Sequence, residues 1–168
     1  MHAHTRQWTN VARTAALVVL LMAALSARAS AYDYAGAGGR LGMASPNDLD
    51  GTPSLGVHAE FEQTGSRVHL QPDVMYWKTN GVRDVNPNFD VYYHFDRENR
   101  VSPYVGGGVG LNFVRRERID RDNTDVGLNL VSGMRFPGEN HHVFVEGRYT
   151  ASDISQISLL GGVTFHAP

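Results

Sequence analysis

Histidine side chains are the first candidates for chemistry in this 168-residue sequence. A neutral imidazole nitrogen binds Zn²⁺ and related metals, so a metal site is one function that they offer. No spacing along the chain sets a coordination geometry, however, and histidines in a polar interior more often form hydrogen bonds. We therefore expect no metal and no cofactor. The five histidines that share the polar face of alternating segments are His58, His69, His94, His142 and His166.

Serine with a histidine base would be the chemistry of a lipid hydrolase or acyltransferase. Ser102 stands across a short predicted turn from His94, but no acid is placed to orient that imidazole. Ser158 has no histidine at the same height on its neighbouring segment. The glycines of 106–110 lie inside an alternating segment and do not open a helix, which excludes a phosphate-binding loop. We expect no catalysis.

Strands must position these side chains. From Tyr34 onward, polar and apolar residues alternate over eight segments, which are separated by short runs rich in Asn, Asp, Gly, Ser and Pro. In the fifth segment Val105 and Val109 fall on one face, and Tyr104 and Asn112 fall on the other. The pattern predicts an all-β fold, an eight-stranded antiparallel up-and-down transmembrane β-barrel. The predicted strands cover residues 34–44, 54–62, 67–78, 87–96, 101–114, 124–136, 141–151 and 155–167.

The first 31 residues have the features of a secretion signal peptide. Arg6 and Arg13 precede an apolar run from Ala15 to Leu25, and small residues suited to cleavage follow at 27–29 and 29–31. The run would rise only about 16 Å as a helix, too short to span a membrane. We expect cleavage near residues 29–31, which leaves residues 32–168 as one exported barrel domain.

Charge and cysteine content narrow the classes of function. The leader carries three arginines and no acid, so the mature chain has twelve basic and seventeen acidic side chains, a formal charge of −5. This balance disfavours binding to nucleic acid. The chain has no cysteine, so an exported domain must be held without disulfides. Closure of a hydrogen-bonded barrel provides that stability.

The aromatic residues indicate which face of the barrel meets lipid. Eight alternating strands also describe a soluble, lipocalin-like barrel that encloses a small apolar ligand, which is the alternative hypothesis. If both chain ends lie on the periplasmic side, however, the apolar-face aromatics form two girdles, as on a lipid-facing surface. The predicted periplasmic girdle is Phe61, Tyr93, Phe95, Phe136 and Phe165, and the predicted outer girdle is Tyr76, Phe89, Phe113 and Tyr149.

The polar face would then line the lumen. An interior of eight strands is just wide enough for side chains to fill, and glycines on the same face leave room for long tyrosine and arginine side chains. We expect a structural network and a filled lumen, not an ion gate or a wide pore. The predicted lumen network is Glu60, Asp73, Asp90, Asn129, Arg135, Glu146 and Arg148.

Three segments resemble the family of small outer-membrane β-barrel domains that includes the OmpA transmembrane domain, OmpX and the Opa adhesins. They are residues 103–113 (PYVGGGVGLNF), 144–149 (FVEGRY) and 159–165 (LLGGVTF). The resemblance spans the mature chain and implies a porin-like barrel in the outer membrane of a Gram-negative bacterium. It also implies that the protein is a monomer surrounded by outer-membrane lipids and lipopolysaccharide. Periplasmic chaperones and the barrel-assembly machinery would deliver the chain to that membrane.

The most charged predicted loop, residues 115–123, holds four arginines and three acids. Its arginines would suit lipopolysaccharide phosphates, although such a run is also typical of a solvated loop. The sequence therefore favours a structural or loop-mediated role in the outer membrane. The alternatives are the soluble ligand-binding barrel and, third, a lipid-modifying outer-membrane enzyme.

Overall fold

The chain forms a closed antiparallel β-barrel. The computed structural model describes residues 32–95, 101–116 and 121–168, and the predicted leader lies outside these ranges. Each strand pairs with the next along the chain, and β1 pairs with β8. The predicted fold class is therefore confirmed. The strands are β1 Asp33–Pro46, β2 Thr52–Glu62, β3 Val68–Thr79, β4 Val82–His94, β5 Ser102–Arg116, β6 Arg121–Pro137, β7 His141–Ala151 and β8 Gln156–His166.

Alternation along the strands separates two environments. In β7, Phe144, Glu146 and Arg148 are buried in the lumen, whereas Val143 and Val145 point outward and are exposed. Several outward aliphatic side chains are more than half exposed, which water would not favour. The apolar face is thus the outside of the barrel, the reverse of a lipocalin-like arrangement. No helix among the described residues has the length and hydropathy of a membrane span.

One strand begins earlier than the sequence pattern predicts. β4 starts at Val82 and not at residue 87, and Pro87 pairs with Val74 inside the sheet. The β3–β4 connection is the two-residue turn Asn80-Gly81, with φ of 50° and 73°. Both angles lie in the left-handed region that a type I′ hairpin turn requires, and Asn-Gly is its strongest sequence signal. The predicted strand 87–96 therefore lacked the first five residues of β4, which follow this turn directly.

Replacing Gly81 tests the turn. Gly81→Ala places a Cβ at a φ of 73° and is expected to lower the free energy of unfolding by about 1–2 kcal/mol. Gly51→Ala is the matched control, because its added Cβ meets no atom closer than 3.7 Å and should change stability little. Urea unfolding of the refolded barrel in detergent measures both. Equal effects in the two variants would contradict the assigned turn.

The barrel has two ends that the strands define. We call the end where β1 begins and β8 ends the terminal mouth, which also carries the turns 63–67 and 138–140. The opposite end, with the connections 47–51, 80–81 and 152–155, is the distal end. Inward side chains fill the lumen in three layers between these ends, described below.

Candidate functional site

The middle layer of the lumen is a buried ion-pair network. The guanidinium of Arg148 lies 2.9 Å from Asp73, 2.8 Å from Asp90 and 3.3 Å from Glu146. The side-chain amide of Asn129 donates a hydrogen bond to Asp90 at 2.9 Å. All five residues are buried, so each charge depends on its protein partners and not on water. The structure thus brings together five of the seven predicted lumen residues.

Arg40 is the second guanidinium of this network, and the sequence reasoning did not assign it there. Its Nη1 lies 3.1 Å from Glu146, and its Nη2 donates to Gln71 at 3.0 Å. The guanidinium also lies 5.4 Å from the ring centroid of Phe144, a cation–π distance. The signal was present in the sequence, because a charge inside the glycine-rich β1 must point to the polar side of the sheet.

Two tyrosines close the lumen beside the network. The hydroxyls of Tyr104 and Tyr92 donate to Glu146 at 3.0 and 3.3 Å, and the two rings pack edge to face. A Cβ on Gly133 would lie 2.5 Å from the Tyr104 hydroxyl, and one on Gly106 would lie 2.5 Å from the Tyr92 ring. These glycines therefore provide the room that the tyrosines occupy, as their alternation with polar residues predicted.

The remaining two predicted lumen residues, Glu60 and Arg135, belong to a separate group at the terminal mouth, which we call the mouth cluster. Arg135 donates to Oε1 of Glu60 at 3.0 Å, and His69 Nδ1 lies 2.6 Å from the same oxygen. His142 Nε2 lies 3.3 Å from the other carboxylate oxygen. His142 Nδ1 is in turn 3.0 Å from His166 Nε2. The Glu60 carboxylate thus contacts side chains from three other strands, β3, β6 and β7.

The other two histidines lie at different depths. The ring of His94 lies 4.3 Å from that of His69, at the terminal mouth. One ligand atom each of Glu60, His69 and His94 lies within 4.8 Å of the others, which makes this trio a candidate metal-binding group among the described residues. His58 lies deeper and shares a hydrogen bond of 2.8 Å with the hydroxyl of Thr164.

The serine and threonine hydroxyls of the lumen are placed for structural hydrogen bonds and not for catalysis. The His58–Thr164 pair has nucleophile-to-base geometry, but both residues are buried inside the barrel, away from lipid. Within the described ranges, the second nitrogen of His58 has no partner to orient it. Ser102 and Ser158 are likewise buried, and the Ser102 hydroxyl lies 3.4 Å from the Pro103 carbonyl. A catalytic triad needs a nucleophile, a base and an orienting acid that are hydrogen-bonded in sequence, and these hydroxyls do not meet that requirement.

The distal layer of the lumen contains an apolar cluster, beside which Asp84 and Ser54 are also buried. The side chains of this cluster come from four strands and two connections, and polar residues such as Asn86 and Asn112, joined at 2.8 Å, lie beneath it. This apolar plug, as we call it, was not predicted, because its members occupy inward positions that the alternation marks as polar. The plug consists of Ala44, Trp77, Val82 and Val114, with Leu49 and Ile154 packed against them.

The nine predicted girdle aromatics all point outward, and none is buried. Tyr93 and Phe95 pack edge to face near the terminal mouth, with ring centroids 5.3 Å apart. Phe89 was predicted to lie in the outer girdle, at the distal end, and this prediction was wrong. Because β4 begins at Val82, Phe89 lies near the middle of the strand, opposite Val109.

The predicted loop 115–123 is shorter than expected. Arg115 and Asp122 belong to β5 and β6, pair in register and lie 3.7 Å apart. Both side chains are exposed to solvent. The rest of the loop, residues 117–120, lies outside the described residues.

Comparisons with known proteins agree with this architecture. The family model described as "Outer membrane protein beta-barrel domain" matches residues 15–166. Comparison with curated proteins gives no significant match.

Among solved structures, Neisserial surface protein A is similar with a TM-score of 0.66 and 18% identity, over 82% of this chain and 97% of that one. The N-terminal barrel of Pseudomonas aeruginosa OprF follows with 0.61 and 14% identity, over 79% and 97%. The outer-membrane enzyme PagL matches with 0.55 and 14% identity, over 74% and 97%. The closed barrel, its outward apolar face and the family match together show that the chain belongs to the outer-membrane β-barrel family and resides in the bacterial outer membrane.

Proposed function

We propose that this protein is a non-catalytic, non-conducting barrel that acts through its structure in the bilayer and through its connecting loops. The observation that carries this proposal furthest is the three-layered filling of the lumen. The mouth cluster, the ion-pair network and the apolar plug follow one another along the barrel axis. Because an eight-stranded interior is just wide enough for side chains, we infer that these layers block a continuous aqueous path along the axis.

Among the residues that the structure describes, no lipid-accessible triad is assembled, which supports the non-catalytic part of the proposal. PagL is an enzyme, but at 14% identity its likeness to this chain concerns the fold alone. The serine and threonine hydroxyls described above are buried in the lumen. A lipid-modifying enzyme would need its nucleophile where an acyl chain can reach it.

The surroundings of the barrel follow from its location and charge. Membrane lipid covers the outward apolar face. We propose that residues 1–31 are a cleaved export signal and that the terminal mouth faces the periplasm. Periplasmic chaperones and the assembly machinery would deliver the chain as a monomer. Lipopolysaccharide phosphates would meet exposed arginines such as Arg115 at the distal end.

Solute flux tests the closed lumen. The mature chain is refolded and reconstituted into liposomes, and insertion is verified by heat-modifiable gel mobility. Swelling in isosmotic arabinose is expected to match that of protein-free vesicles, and planar bilayers should show no conductance steps. Reproducible steps, or swelling that rises with the protein-to-lipid ratio, would overturn the non-conducting function.

A further inference from the structure

The mouth cluster contains a set of donors that its hydrogen bonds do not fully use. Glu60, His69 and His94 come from the three consecutive strands β2, β3 and β4, and all three side chains are buried. One oxygen and two nitrogens lie within 4.8 Å of one another. Independently, the buried Nδ1 of His94 has no hydrogen-bond partner among the described residues. A buried imidazole nitrogen without a partner costs free energy unless something binds it.

We propose that Glu60, His69 and His94 bind one first-row divalent metal ion, with Zn²⁺ preferred. Two imidazole nitrogens and one carboxylate oxygen suit Zn²⁺, and a site with three protein ligands keeps a fourth position for water. Without a thiolate, the set does not suit a soft ion such as Cu(I). This metal site goes beyond the proposed structural function, because a filled lumen does not require it.

To hold the ion, the three ligand atoms, which lie within 4.8 Å of one another, must move to the spacing of a tetrahedral site, about 3.3 Å. Glu60 Oε1 and His69 Nδ1 now share a proton at 2.6 Å. Around a tetrahedral Zn²⁺ two such ligand atoms stand about 3.3 Å apart, so the metal would replace the proton and move them apart by less than about 1 Å. The His94 ring already lies beside that of His69, with centroids 4.3 Å apart.

Two neighbouring groups act on the site in opposite directions. His142 Nε2 lies 3.3 Å from Oε2 of Glu60 and would fix the orientation of the ligating carboxylate, as outer-shell partners do. Arg135 Nη2 lies 3.0 Å from Oε1 and competes with a cation for that oxygen. Removal of the Arg135 charge should therefore strengthen binding, whereas loss of a ligand should weaken it.

An ion can reach these ligands from solution. A cavity of about 710 Å³ lies at the terminal mouth, and all three ligands contribute to its wall. Its lining includes exposed residues of the turn 63–67, such as Gln63 and Gly65. The cavity therefore connects the ligands with the solvent at that end of the barrel.

Calorimetric titration of the refolded mature chain, without a polyhistidine tag and with Zn²⁺ alone as the probe, tests the proposal. We expect one ion per chain with micromolar or tighter affinity. His69→Gln and His94→Asn should each weaken it by at least about 100-fold, since outer-shell changes alone cost 10–100-fold. Arg135→Gln should strengthen it several-fold. His141→Asn, an exposed histidine beside the mouth, is the matched control and should leave it unchanged.

Co²⁺ provides a second readout on the unaltered chain. Intense visible absorption bands are expected on Co²⁺ binding and should disappear when Zn²⁺ is added. This measurement does not require any variant to fold. No heat and no Co²⁺ bands with the heat-modifiable species would overturn the proposal. So would a Zn²⁺ affinity that persists in both His69→Gln and His94→Asn, because the ion would then be bound elsewhere.

Discussion

Arg148→Met is expected to destabilise the barrel by about 3–5 kcal/mol, the usual cost of removing one partner from a buried ion pair. Arg148 neutralises Asp73 and Asp90 at 2.9 and 2.8 Å, and both carboxylate groups are fully shielded from solvent. Methionine preserves much of the volume but leaves these acids with a single remaining guanidinium, that of Arg40, 3.6 Å from Asp73. Urea unfolding in detergent or lipid vesicles measures the loss.

Two further variants separate charge from packing in this experiment. Adding Asp90→Asn to Arg148→Met should recover part of the lost stability, because the neutral amide no longer needs a cation. Arg115→Met removes a guanidinium from the exposed pair with Asp122 and should cost less than about 1 kcal/mol. A loss below about 1 kcal/mol in Arg148→Met itself would mean that the network does not support the barrel.

Val145→Arg is expected to cost about 2–4 kcal/mol, the penalty for arginine on the lipid face of a barrel near the bilayer midplane. Val145 points outward, is 49% exposed and lies halfway between His141 and Tyr149 on β7. It pairs with Met134 and Gly161 at the same height. A guanidinium there must leave water for hydrocarbon, so unfolding in vesicles should occur at lower denaturant.

The controls for this variant separate the membrane from the side chain. Val145→Met keeps an apolar group outward and should change stability by less than about 1.5 kcal/mol. Glu139→Arg places arginine in the exposed turn 138–140, outside the hydrocarbon, and should be nearly neutral. If Val145→Arg were as stable as Glu139→Arg, or if it became soluble without detergent, the lipid-facing assignment of this surface would be wrong.

The alternation of polar and apolar residues predicted much of the architecture. A side-chain period of two assigns each residue of a strand to one face, so the eight strands, their antiparallel order and the polar face that lines the lumen could be predicted. The predicted start of β4 at residue 87 was wrong, because the Asn80-Gly81 turn lets the strand begin directly at Val82. The predicted position of Phe89 at the outer end of β4 was wrong because it depended on the same strand start.

What the sequence determined by itself is therefore the face on which each side chain lies, because alternation is a local property of the backbone. Only the tertiary structure decided which side chains meet across the lumen, since that depends on strand register and barrel closure. Arg40 joins Glu146 although 106 residues separate them along the chain. Glu60, His69 and His94 converge through the pairing of β2, β3 and β4, and no spacing in the sequence encodes that distance.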